Sequence, residues 1–234
     1  MNKLAWDSNF WGVELFSILE NSKCWDQDSF LKIKECGKLW LIQGLISENE
    51  VASINCLEDK GFRFVESKIT LKNKAEKRAN ISENQFKKVE KCELEEFKND
   101  FYNLYGKFSR FGLFPEEKIN AFYYAWMINS IDGTMDDECI GYYINHELAG
   151  FITYKNENNR LLIGLVGVFP KFQKQGISQK LLDYVNNRGI NLGCNEIFVS
   201  TQGKNSKAIN AYIKSGFIFE SIKQWYYLTN YKSL

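Results

Sequence analysis

A turn of six residues, placed between an apolar run and an amphipathic run, has the composition of an anion-binding site. The six residues are Gln173, Lys174, Gln175, Gly176, Ile177 and Ser178. A glycine lets the backbone approach a ligand closely, and a helix N-terminus presents unpaired N–H groups with a partial positive charge. Ser178 adds a small hydroxyl, and Lys174 and Lys180 add charge. The pattern predicts a phosphate site here, with a plain surface turn as the alternative.

Two better-known phosphate motifs are absent from the sequence. Neither a G-x-x-x-x-G-K-[ST] loop nor a G-x-G-x-x-G turn after a strand occurs. The chain carries 30 basic and 29 acidic residues, so its net charge of +1 creates no general field for nucleic acid or an anionic membrane. Any anion must therefore be bound locally.

A second segment of defined spacing follows downstream. The run NSKAINAYIKSGF fits N-x-x-A-x-x-x-Y-x-x-x-G-F through Asn205, Ala208, Tyr212, Gly216 and Phe217. Together with VFPKFQKQGISQKLL, which fits Q/R-x-x-G-x-G/A except for Ser178 at the last position, it resembles the GNAT superfamily of N-acetyltransferases. The resemblance covers about residues 86–229.

The resemblance implies direct transfer of an acetyl group from acetyl-CoA to an amine. Backbone N–H groups of residues 175–178, supported by Gln173 and Lys174, would hold the CoA diphosphate. The pantetheine arm would pair with the backbone of Val166, Gly167 and Val168, where the glycine permits close approach. Asn205 and Ala208 of the second motif would also bind the cofactor, and Tyr212 occupies the position of the general acid that protonates the leaving thiolate.

The base that would deprotonate the amine is not evident. Many members of the family place a glutamate on the strand that corresponds to RLLIGLVGVF, which here contains no acid. We therefore expect the amine to arrive neutral or to lose its proton through water. His146 is the only histidine of the chain, but its place in an expected hairpin turn favours a solvent-facing residue.

A narrower resemblance concerns the acceptor. The segments LAWDSNFWGVELFSI and SRFGLFPEEKINAFYYAWMINSI resemble the TDP-fucosamine acetyltransferase branch, which implies a TDP-linked 4-amino-4,6-dideoxyhexose as the small-molecule substrate. Arg110 and Phe111 lie where the family binds its acceptor, and a guanidinium suits a diphosphate. A surface ion pair and a core ring are the alternative. An amino acid, polyamine or protein amine as acceptor, and a non-catalytic acyl-CoA-binding module, remain open.

The elements around these motifs predict an α/β chain with a mixed sheet. Residues 1–75 read as a small N-terminal β/α domain, in which Ser47 and Glu50 have the spacing of a capping box. A polar linker follows, and residues 86–234 read as an acetyltransferase domain of the GNAT fold. Its elements are ordered β, α, α, β, β, β, α, β, α, β, β, with one helix over 93–108 and a final pair of strands over 216–229.

The remaining composition narrows the setting. The start of the chain lacks a signal-peptide pattern and the longest apolar run has nine residues, so a cytoplasmic location is expected and no membrane association. Six scattered cysteines and one histidine indicate reduced, mostly buried thiols and no metal site. A homodimer is common in similar enzymes and is expected here as a possibility.

Overall fold

The computed structural model describes residues 1–18, 27–35, 37–77 and 81–231. Its first elements are β1 Asn2–Lys3, α1 Ala5–Trp11, β2 Glu14–Ser17, α2 Gln27–Glu35, β3 Trp40–Ser47, α3 Val51–Asp59 and β4 Arg63–Lys74. They are followed by β5 Phe86–Lys88, α4 Phe101–Tyr105, α5 Glu116–Ile131, β6 Glu138–Ile144, β7 Glu147–Glu157 and β8 Arg160–Val168. The last are α6 Ile177–Asn191, β9 Glu196–Gln202, α7 Ser206–Lys214 and β10 Ile218–Thr229. Short 3-10 turns cover Glu83–Gln85, Lys91–Phe97, Gly106–Phe108 and Pro170–Phe172.

The chain divides into two compact units, and β4 and β10 contribute residues to both. The first unit contains the described parts of 1–68, 202–204 and 222–234. Its strands lie in the order β1, β2, β3, β10, with β2 and β3 parallel and the other two pairs antiparallel. Trp40, Ile42, Leu57, Phe62 and Tyr226 form part of its core. The domain boundaries at residues 75 and 86 stay a prediction.

The second unit contains residues 69–201 and 205–221, of which 78–80 are not described. Its strands run from β4 through β9, β8, β7 and β6 to β5. Strands β5 to β8 pair antiparallel, whereas β8 and β9 pair parallel. The predicted fold class, a mixed sheet combined with helices, is confirmed. The expected hairpin is also present, since Ile144 pairs with Glu147 across a turn in which Asn145 and His146 have φ values of 50° and 68°.

The helix predicted over 93–108 is wrong, because the segment is broken into a 3-10 turn, the five-residue α4 and a second 3-10 turn. The side chain of Asn120 on α5 replaces the missing helical bonds. Its Oδ1 accepts from the N–H of Tyr102 at 2.7 Å, and its Nδ2 donates to the carbonyl of Lys98 at 2.8 Å. Tertiary hydrogen bonding thus overrides the apolar periodicity that favoured one helix.

Two other predictions are corrected. The final pair of strands is the single strand β10, whose residues 223–229 pair with β3 from Ser47 back to Leu41. The capping box at Ser47 does not form either. Glu50 is the N-cap of α3 without a side-chain cap, and its N–H bonds the carbonyl of Ser47 at 3.0 Å.

Candidate functional site

Strands β8 and β9 pair over only part of their length. Their register runs from Arg160 opposite Glu196 to Ile163 opposite Val199 and stops there. Strand β8 continues to Val168 and keeps its pairing with β7 on the other side. The sheet therefore opens between β8 and β9 beyond Ile163, and we call this opening the gap.

The backbone of Val166 and Val168 faces the gap. The N–H groups of Leu165 and Phe169 point towards β7, where they donate to the Thr153 hydroxyl at 2.8 Å and to the Ala149 carbonyl at 3.1 Å. Because backbone polar groups alternate in direction along a strand, those of residues 166 and 168 point the other way. The gap thus offers a ladder of strand-type hydrogen-bonding groups at the residues predicted to meet an acyl arm.

The turn that follows β8 exposes its backbone donors. Lys174 and Gly176 both have left-handed backbone, with φ values of 66° and 74°, and α6 begins directly afterwards. In the part of the chain that the structure describes, no N–H group of residues 174–178 donates a hydrogen bond. Unpaired N–H groups at the start of a helix attract anions. The turn therefore presents unpaired N–H groups at the residues predicted to bind phosphate, and the phosphate site itself stays a prediction.

The side chains of this turn and of the first turn of α6 differ in their exposure and in their contacts. The Gln173 amide donates to the Val168 carbonyl at 3.1 Å and so ties the turn to the end of β8. Lys174 is exposed, whereas Ile177 is buried with its Cγ2 3.3 Å from the Cβ position of Gly150. The Lys180 ammonium donates to the Tyr142 hydroxyl at 2.6 Å. Gln175 is exposed and Ser178 is half-buried.

Helix α7 carries the second motif. The side chain of Asn205 caps it by accepting the Ala208 N–H at 3.2 Å, so this pair organises the helix N-terminus. One turn further, Tyr212 is 8% exposed and its hydroxyl has no hydrogen-bond partner among the described residues. Burial raises the pKa of the Tyr212 phenol. The hydroxyl therefore keeps its proton at neutral pH, as a proton donor must.

A second tyrosine, which the sequence did not single out, lies beside Gly167. The Tyr105 hydroxyl is buried, has no hydrogen-bond partner in the described chain, and lies 3.0 Å from the Cβ position of Gly167. Burial first, and then the nearby Tyr212 phenol, raise the pKa of Tyr105. The ring of Phe151 fills the same space, 2.7 Å from that Cβ position. The missing side chain at Gly167 thus makes room for two aromatic residues, which sequence reasoning did not foresee.

The predicted acceptor residues lie in the turn between α4 and α5. The Arg110 guanidinium is 4.0 Å from the ring centre of Phe111. Burial raises the pKa of Tyr123, whereas the Ser109 hydrogen bond and then the Arg110 charge lower it. The Tyr123 ring stacks on Tyr105 with 5.0 Å between the ring centres. Phe111 is 2% exposed, so its ring is part of the core, and its role in acceptor binding stays a prediction.

The histidine and the cysteines considered in the sequence lie in the following positions. His146 is exposed in the β6–β7 turn, as expected. Cys139 and Cys194 are buried and Cys56 and Cys92 are exposed, all as free thiols, while Cys24 and Cys36 lie outside the described residues. Within the described ranges, no cluster of possible metal ligands occurs. None of the helices in those ranges is both long and apolar enough to cross a bilayer.

Comparison with known proteins defines the class and then the family. The strand pair that separates beyond Ile163 and the open helix N-terminus beside it lie within the segment that matches a family model, since the family described as "Acetyltransferase (GNAT) family" matches residues 98–217. The chain belongs to the GNAT family and is an N-acetyltransferase. The matched segment contains both motifs.

Two relatives and two solved structures show how far the likeness extends. A dTDP-fucosamine acetyltransferase of Escherichia coli O6:H1 is 23% identical over 229 residues, which cover 96% of each chain. An N-alpha-acetyltransferase 30 of Dictyostelium discoideum is 29% identical over 105 residues, covering 43% of this chain and 55% of that protein.

The solved structures support the fold alone. A GCN5-related N-acetyltransferase from Sphaerobacter thermophilus superposes with a TM-score of 0.61 at 13% identity, covering 88% of this chain. A GNAT-family acetyltransferase from Colwellia psychrerythraea gives 0.54 at 18% identity and covers 79% of this chain. The chain spans 65% and 64% of these two proteins, just under two thirds of their lengths.

Proposed function

We propose that this N-acetyltransferase transfers the acetyl group of acetyl-CoA to the amino group of a nucleotide-linked amino sugar, a TDP-4-amino-4,6-dideoxyhexose. The observation that carries the proposal is the reach of one alignment. The similarity to the dTDP-fucosamine acetyltransferase extends over 96% of both chains, whereas the family match covers only residues 98–217. The alignment with a protein named for dTDP-fucosamine thus also includes the residues of the N-terminal unit, which supports the proposed acceptor.

The geometry of the gap and of the turn beside it supports the proposed roles. The open N–H groups of residues 174–178 hold the CoA diphosphate, and Lys174 contributes its charge. The backbone of Val166 and the N–H group of Val168 pair with the amides of the pantetheine arm and align the thioester, while the Val168 carbonyl accepts from Gln173. A backbone donor aimed at the developing oxyanion is worth about 3 kcal/mol. Tyr212 then protonates the departing thiolate.

The acceptor pocket is proposed beside α4 and α5. Arg110 bears a guanidinium at the edge of the aromatic group that includes Tyr123 and Tyr105. A planar guanidinium binds a diphosphate through paired hydrogen bonds. We therefore assign the Arg110 guanidinium to binding the diphosphate of the sugar nucleotide, which is the small-molecule substrate. A cytoplasmic location and a homodimer stay predictions.

The competing acceptor is a peptide or small amine, which the local match to an N-alpha-acetyltransferase favours. The two candidates separate in a CoA-release assay with purified chain and acetyl-CoA. TDP-4-amino-4,6-dideoxygalactose, an unblocked peptide and spermidine are offered at equal concentration. Turnover with the nucleotide sugar, lost when its amine is already acetylated, supports the proposal. Turnover with the peptide or spermidine and none with the sugar refutes it.

A further inference from the structure

One buried carboxylate of the second unit has no evident structural reason to be charged. Asp136 lies in the connection between α5 and β6 and is 5% exposed. Its Oδ2 atom accepts hydrogen bonds from Ser130 and Thr153, both at 2.7 Å, and a longer one from the Trp126 indole at 3.4 Å. All three donors are neutral. Among the described residues no cation pairs with it, and a buried charge without a partner costs stability.

The second oxygen of this carboxylate is open. Oδ1 makes no hydrogen bond in the described chain and is not among its sealed, unpartnered polar atoms. One oxygen is thus fixed by short bonds, while the other has no hydrogen-bond partner in the described chain and is not fully sealed. This arrangement holds a carboxylate in a defined orientation and leaves a lone pair free to accept a proton.

The carboxylate lies where β8 leaves β9. Gly164 is the first residue of β8 beyond the last pair, Ile163 opposite Val199. A Cβ atom at Gly164 would lie 2.5 Å from Oδ2 and 2.7 Å from Oδ1 of Asp136. The two oxygens therefore occupy the space of the side chain that β8 lacks, two residues before the backbone groups of Val166 face the gap.

We propose that Asp136 is the general base of the transfer and takes a proton from the acceptor amine through its Oδ1 atom. The proposal rests on the acetyltransferase activity of the family and not on the identity of the acceptor. The proposal also explains how the enzyme could work without an acidic residue on β8. The base comes from the connection between α5 and β6, and its carboxylate lies where a side chain at Gly164 would be.

The proton balance is complete with groups already described. The Asp136 carboxylate takes one proton from the ammonium group, and the freed electron pair on nitrogen forms the C–N bond to the thioester carbonyl carbon. The C–S bond breaks with its electron pair on sulfur. Tyr212, in its proposed role, gives its proton to sulfur and regains one from nitrogen as the amide forms. Asp136 releases its proton to solvent.

Few other titratable groups face this carboxylate. Among the described residues, the Cys139 thiol on β6 is one such group, since burial, then the Asp136 charge, raise its pKa. Helix α5, strand β7 and strand β8 present Trp126, Ser130, Thr153 and Gly164, none of which titrates. Asp137, the next residue, is exposed and accepts the N–H of Asn156 at 2.7 Å.

The test compares Asp136→Asn with Asp137→Asn, the same change one residue away. Two small nucleophiles serve as probes: ethanolamine, which is protonated at neutral pH, and hydroxylamine, which is neutral there and needs no base before attack. Asp136→Asn should lower the rate with ethanolamine at least about a hundredfold and the rate with hydroxylamine by no more than about threefold. Equal losses with both, or none with ethanolamine, would overturn the proposal. Neither probe depends on the nucleotide sugar, so failure of the sugar assignment is read separately.

A second measurement needs no acceptor. The asparagine oxygen can still accept from Ser130 and Thr153, and its amide nitrogen takes the open position. Asp136→Asn should therefore unfold at the same or a higher denaturant concentration than the wild type. If it instead raised the unfolding constant more than about tenfold while Asp137→Asn did not, the carboxylate would be retained for the fold and the proposal would fail.

Discussion

The Tyr105 hydroxyl oxygen lies 3.0 Å from the point where a Cβ atom on Gly167 would sit, and the Phe151 ring comes still closer at 2.7 Å. We predict that Gly167→Ala destabilises the chain by about 1–3 kcal/mol, because overpacking displaces rings from both neighbouring elements. Denaturant unfolding measures this. Gly112→Ala is the control, since its Cβ would find its nearest neighbour, the Ser109 carbonyl, at 3.7 Å. Equal stability of both variants would contradict the predicted crowding.

Removal of one hydroxyl tests the proposed acid. Tyr212→Phe should lower kcat by about a hundredfold and leave the Kd for acetyl-CoA unchanged, because the phenyl ring keeps its packing against Phe217. Steady-state kinetics and calorimetry give the two values. Tyr184→Phe, which changes a tyrosine stacked on Phe86, is the matched control. Unaltered turnover of Tyr212→Phe would exclude proton donation by this residue.

Two left-handed glycines separate backbone strain from ligand binding. Gly176 and Gly193 have φ values of 74° and 72°, and a Cβ on either would meet nothing within 4 Å. Alanine at each position should cost about 1 kcal/mol of stability for the same conformational reason. Only Gly176→Ala should also weaken acetyl-CoA binding, by about tenfold, because strain in its turn misaligns the N–H groups of 174–178. Equal affinities, measured by calorimetry, would show that the turn does not hold the diphosphate.

Buried phenols make stability depend on alkaline pH. Burial raises the pKa of Tyr105, Tyr123 and Tyr212 in the folded chain. Their stabilising effect is complete below about pH 10, the value of an exposed phenol, and is lost as the pH rises towards the folded values. Urea unfolding at a series of pH values should therefore show that the free energy of unfolding falls above about pH 10. Combined Tyr105→Phe and Tyr212→Phe substitution should flatten the slope; a wild-type stability that stays constant would argue against these shifts.

Much of the second unit was predictable because its signals are local. The run EIFVSTQ alternates and coincides with β9, and Gly176 marks the start of α6 within one residue. The β6–β7 turn at Asn145 and His146 was equally clear. In each case propensity, periodicity and tertiary packing favour the same structure.

The candidate base was not predictable for a physical reason. Asp136 belongs to the polar run DGTMDDE, in which nothing distinguishes the one carboxylate that turns inward beneath Gly164. Tyr105 was hidden differently, since it lies in a segment whose apolar spacing predicts one helix. That helix is interrupted by hydrogen bonds from Asn120, a contact between residues 18 positions apart. Long-range hydrogen bonding of this kind leaves no periodic signal.

The gap beyond Ile163 gives the sheet an edge inside its own surface. An exposed sheet edge normally invites another polypeptide to add as a strand and aggregate. Here β8 and β9 are paired up to Ile163, so the gap narrows towards that residue. A full β-strand with side chains on both faces would not fit into this narrowing space. A slender chain with amides at peptide-like spacing has no such bulk and can pair along Val166 and Val168. The same edge would thus admit a pantetheine arm and turn away a neighbouring protein.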